Sequence, residues 1–144
     1  MKPELHNLSF LFLRTADCLD AICNVERRLY ATGLRALFKR HDYADYGQTL
    51  TKALVELEDI AGSIKLDQSQ FSILKSTALE YIGALRASTA KLLALSFYLS
   101  AKANGEEYSL AEYSADFQEF QQYQEEYMEL GRQLNSLYQR LREL

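Results

Sequence analysis

The sequence predicts an all-α protein: an antiparallel up-down-up-down four-helix bundle with long heptad-patterned helices. Three observations carry that expectation. Apolar residues recur at alternating three- and four-residue spacing over long stretches, most cleanly in eight unbroken steps from Phe71 to Leu99. One proline and six glycines in 144 residues leave little material for turns, so the elements are few and long. Alternating Val/Ile/Thr runs of the kind strands use are absent. The whole chain, 1–144, reads as a single domain.

The first helix is expected over 4–40. Pro3 suits a first helical turn, and Leu5, Leu8, Phe12, Leu19, Ile22 and Leu29 keep the period. The stripe loosens at Cys23–Glu26, and Asn24 and Gly33 are weak helix formers, so the alternative to one straight rod is a break at one of them. The second helix, 43–63, follows Asp42 as N-cap and carries Tyr46, Leu50, Ala53, Leu57 and Ile60 on one face. Asp67-Gln68-Ser69-Gln70 matches a capping box and opens the third helix, 68–103, which Asn104-Gly105 stops. Ser109-Leu110-Ala111-Glu112 is a second capping box and opens the fourth, 109–143. That last helix changes character midway. Tyr113, Phe117, Phe120 and Tyr127 line its acidic first half; Leu130, Leu134, Leu137 and Leu141 form a plain leucine seam that reads as ordinary bundle core. The rest of the chain is expected to lie against it.

Composition excludes several classes of function. Apolar residues at 48% and charged residues at 25% describe a globular chain. The net charge of −4 argues against direct nucleic-acid binding. Two cysteines, Cys18 and Cys23, are too few for a disulfide scaffold. The apolar run Leu8–Leu13 is too short for a membrane span or a signal-peptide core, which points to a cytoplasmic protein without a membrane partner. No cofactor or metal is expected: neither histidine, His6 or His41, has a glutamate three residues before it, and no phosphate loop or dinucleotide fingerprint occurs. Asp17 and Asp20 flank the thiols and would raise their pKa rather than activate them, so no catalytic centre is expected.

Charge is unevenly laid out. Residues 1–42 carry seven Lys/Arg against five Asp/Glu, while residues 106–144 carry three against nine. In an up-down-up-down bundle the first and fourth helices are neighbours. Arg28, Arg35 and Lys39 on the first should then attract Glu112, Asp116, Glu119 and Glu126 on the fourth.

Two interaction surfaces follow. Three helices of about 36 residues reach roughly 54 Å and the second, of about 22, only roughly 33 Å, so apolar ends should overhang. Phe10, Phe12 and Leu13 lie at one end; Leu92, Leu95, Phe97, Tyr98 and Leu99 lie at the other. Burying them in a second copy makes a homodimer the expected partner. The second surface is the acidic aromatic run 106–129, in which Tyr108, Glu112, Tyr113, Asp116, Phe117 and Glu119 would dock an unidentified protein, a basic one among the alternatives, or mimic nucleic acid. The leading expectation is a non-enzymatic bundle working by protein–protein contact and self-association, with the acidic inhibitor or adaptor as its alternative.

One short stretch resembles a catalytic family. Arg35, five intervening residues, His41, Asp42 and Tyr43 are similar to the Arg-x(4–6)-His motif of HEPN-type ribonucleases, small α-bundles that dimerise, and to its variant ending His-x-Tyr. The resemblance covers nine residues, and Ala36 stands where the family has a polar residue. It implies Arg35 polarising a phosphate, His41 protonating the leaving oxygen, and Tyr43 open to modification. This ribonuclease reading ranks third.

Overall fold

The structure, a computed structural model, describes residues 3–32 and 43–143. Four helices account for nearly all of them: α1 (Pro3–Thr32), α2 (Tyr43–Ser63), α3 (Ser72–Ala103) and α4 (Leu110–Arg142), with no strand among the described residues. They form the expected all-α four-helix bundle. Contacts at one end mark the alternating order, because the start of α1 meets both the start of α3 and the end of α4 there. At one end Lys75, near the start of α3, bridges Glu4 of α1 and, at 2.7 Å, Asp67. At the same end Phe12 of α1 meets Tyr138 of α4.

Local chemistry sets the helix ends. Gly105 sits at φ 94°, a left-handed conformation that glycine takes without a Cβ penalty. It lets Glu106 N–H donate back to Ala101 O at 3.0 Å and Gly105 N–H to Lys102 O at 3.0 Å, the paired bonds of a Schellman stop. The Ser109 hydroxyl accepts from Glu112 N–H at 3.1 Å and so caps α4. α1 runs without a break through Asn24; Gly33 and the rest of the segment assigned to the first helix beyond Thr32 lie outside the described residues.

The start of α3 differs from the capping-box expectation. Asp67 does not cap a helix beginning at residue 68. One of its oxygens accepts from Ser69 N–H and Oγ, closing a tight turn, while the other holds Lys75. Buried Lys75 needs a carboxylate more than the helix needs a cap, and the helix starts later, at Ser72.

α3, rather than α4, is the centre of the bundle. It packs most extensively on α4, then on α2, and also touches α1, whereas α1 lies chiefly on α2. A helix with neighbours on several sides is apolar around most of its circumference. Accordingly Leu74, Ala78, Leu85, Leu92, Leu95 and Leu99 are all at most 1% exposed. Each buried leucine contributes about 1.5–3 kcal/mol. Three of these correct the expected overhang: Leu92, Leu95 and Leu99 belong to the core of this chain and are not an oligomer surface. They share one apolar cluster with Tyr108, Phe117 and Phe120 of the α3–α4 hairpin. Phe97 and Tyr98, off that stripe, remain 60% and 46% exposed.

Candidate functional site

The expected neighbour relation between α1 and α4 holds only loosely. Their backbones stand apart and are joined by long side chains: Phe12 meets Tyr138 edge to face at 5.6 Å, and Gln124 Nε2 donates to Glu26 Oε1 at 2.7 Å. Between them a cleft of about 570 Å³ opens down to α3. Ala78, Tyr81 and Ile82 of α3 form its floor. Phe12, Ala16 and Leu19 line one wall; Gly131, Leu134 and Tyr138 line the other. Ser9, Leu13, Thr15, Asn135 and Arg142 complete the lining.

Small residues keep the cleft open. Ala16, Ala78 and Gly131 come from three helices and stand where larger side chains would fill the seam. Gly131 is the tightest position, since a Cβ there would lie 3.2 Å from Cε2 of Tyr81. The Tyr81 ring, held edge-on by Tyr127 at 6.2 Å, therefore leans on the α4 backbone. Burial pushes its phenol up to about 12. Leu134 lines this open seam, and Leu130, Leu134, Leu137 and Leu141 are all only half-buried, not the ordinary core that the leucine pattern predicts. Of the lower apolar residues proposed for an oligomer surface, Leu13 is 66% and Phe10 64% exposed, whereas Phe12 is half-buried in the cleft wall.

The acidic half of α4 is engaged differently from the expectation. Among the described residues Asp116 and Glu119 pair with α3, not with α1: Lys91 Nζ lies 3.0 Å from Glu119 and 3.6 Å from Asp116. α4 lies closest to α3, so Lys91 reaches these acids first; Arg28 is exposed, and Arg35 and Lys39 lie outside the described residues. Tyr108 donates its hydroxyl to Asp116 Oδ2 at 2.6 Å and stacks on Tyr98 at 5.4 Å. Burial, reinforced by Asp116, raises the Tyr108 phenol well above its ordinary value. Tyr108 and Phe117 are thus buried, and neither offers the free surface expected of a partner-binding residue. Tyr113 is half-buried with its ring 5.8 Å from Phe117. Glu112 stays exposed beside a shallow groove that also takes in Glu107, Tyr98 and Tyr108.

The remaining candidates place no chemistry together. Arg35 and His41 of the ribonuclease-like motif lie outside the described residues; Tyr43 opens α2. Burial raises both thiols, aided by Glu56 at Cys18 and by Glu26 at Cys23. Among the described residues no group of three His, Cys, Asp or Glu could hold a metal ion, and no helix is long and apolar enough to cross a membrane. The cleft is the feature sequence reading missed. Its only sequence signal is the coincidence of small residues at Ala16, Ala78 and Gly131, which has meaning only once the three helices are placed. Comparison with protein families, with curated proteins and with solved structures finds no match to this chain.

Proposed function

We propose that the protein is a non-enzymatic docking module that works by protein–protein contact and self-association, with the α1/α3/α4 cleft as its contact surface. The supporting observation is the cleft itself. The seam between α1 and α4 is apolar, half-covered and flanked by the exposed Phe10 and Leu13. Apolar surface of this kind on a water-exposed protein marks a partner. In this reading the protein acts in the cytoplasm, with Cys18 and Cys23 as free thiols. Light scattering on the full chain over a concentration series tests it. A mass that rises above 16.6 kDa with concentration is expected, and a constant 16.6 kDa mass would overturn self-association.

A second reading, an acidic adaptor that docks a basic partner through 106–129, draws on the exposed Glu112 and Glu107 beside the Tyr98–Tyr108 stack. It is the weaker of the two, because Asp116 and Glu119 are already held by Lys91. Replacing Glu107 and Glu112 with glutamine should abolish capture of a basic partner in a salt-sensitive way. If the substitutions change only the melting temperature, this reading fails.

A further inference from the structure

We infer that the occupant of the cleft is the α1 flank of a second copy, in an antiparallel two-fold pair that places Phe10 and Leu13 of each copy over the other's cleft and Asp17 of each beside the other's Arg142. The inference rests on the self-association proposed above and gives it a surface and a register.

The register comes from helix geometry. Phe12 and Tyr138 are side by side, and α4 runs opposite to α1. Arg142, four residues beyond Tyr138, therefore lies about 6 Å closer to the N-terminus of α1, level with Leu8 and Ser9. Ser9 and Arg142 indeed line the same cleft. In a two-fold pair of antiparallel α1 helices centred on Leu13, each residue lies beside the one equally far on the other side of position 13. Asp17 then falls beside Ser9, and so beside Arg142 of the other copy. Phe10 falls beside Ala16, one of the small residues that give the cleft its depth.

Chemistry fits that placement on both sides. Phe10, Leu13 and Asp17, spaced three and then four residues apart, share one flank of α1, and all three are exposed. Among the described residues neither Asp17 nor Arg142 enters any of the ion pairs formed. The pair forms twice by symmetry. A parallel arrangement would leave each Asp17 about 12 Å from Arg142 along the axis and set Phe10 against Phe10. A lipid chain would cover the cleft walls but leave Phe10 and Leu13, 64% and 66% exposed, in water. A second copy covers both.

The test uses the full chain. Leu13→Cys lies on the two-fold axis, where facing Cα atoms come within disulfide reach, so mild oxidation should cross-link it, whereas Phe97→Cys at the far end should stay uncross-linked. Asp17→Arg and Arg142→Asp should each raise the dissociation constant about tenfold, and the double variant, which restores the pair with its signs exchanged, should recover the wild-type value. All these positions are exposed, and thermal melts matching wild type establish that each variant folds. If the wild type associates but Leu13→Cys fails to cross-link, or the double variant is no tighter than the singles, this surface is wrong while self-association stands. A wild type that remains monomeric overturns both.

Discussion

Replacing Gly131 and Gly83 separately with alanine tests how tightly Tyr81 closes the floor of the cleft. Both glycines lie inside helices, α4 and α3, where glycine costs about 1 kcal/mol relative to alanine. Nothing lies within 4 Å of a Cβ built on Gly83, so Gly83→Ala should gain the full helical term. For a chain of this size that is a rise in Tm of about 4 °C. At Gly131 the same gain meets a collision: the new Cβ would sit 3.2 Å from Cε2 and 3.7 Å from Cδ2 of Tyr81, so the ring must yield by a few tenths of an ångström. Tyr81 is buried and packs edge-on against Tyr127, which restricts how the ring can yield. Overpacking of this order costs about 1–3 kcal/mol, enough to cancel the propensity gain or reverse it. Differential scanning calorimetry should therefore place Gly131→Ala at or below the wild-type Tm and Gly83→Ala above it. Equal rises would refute the packing of Tyr81 on α4, and with it the account of why the cleft stays open.

Three further outcomes follow from the same physics. Leu95→Ala should cost about 2–5 kcal/mol in urea unfolding, and Phe97→Ala within about 0.5 kcal/mol of nothing, because only the first is core. Hydrogen bonds from Lys75 and Ser69 hold the Asp67 carboxyl down at about 2, below its unfolded value of about 3.9. Its contribution is thus present above pH 4 and lost as pH falls through 2, and Asp67→Asn should flatten that part of the acid-unfolding profile. Burial and Asp116 raise the Tyr108 phenol, so its contribution is present below the ordinary phenol pKa of about 10 and is lost as pH rises through the raised value. Tyr108→Phe should reduce the loss of stability between pH 9 and 12, read from alkaline unfolding curves followed by circular dichroism.

The features legible in the sequence were those set by adjacent residues. Asn104-Gly105 announces a left-handed stop and Ser109 a cap, and both form where they were expected, because each needs only its own turn of backbone. Periodicity likewise finds the face of α3 that is buried. It does not say which neighbour covers that face. The distance between α1 and α4 depends on Ala16, Ala78 and Gly131, which lie far apart in the chain, so the cleft had no local signature. Unequal helix lengths alone would leave Leu92, Leu95 and Leu99 uncovered, whereas in the folded chain they share one buried cluster with Tyr108, Phe117 and Phe120. At Asp67 a sound capping pattern lost its carboxylate to a lysine eight residues away.

These findings move the functional weight along α4. Its acidic half drew attention by charge, yet Tyr108 and Phe117 are buried there, and Lys91 holds Asp116 and Glu119. Its leucine half drew none, because a leucine seam on a bundle helix is what core requires. On α3 every stripe position from Leu74 to Leu99 is covered. On α4, with the same period, Leu130, Leu134, Leu137 and Leu141 stay half-exposed. Forming the helix does not demand leucine at such positions, since Lys, Gln and Glu have nearly the same helical propensity and would be better solvated. Leu134 lines the open cleft near the exposed Phe10 and Leu13, and it is the member of this half-exposed run that the proposed contact surface would cover. Helix formation alone supplies no reason for leucine there.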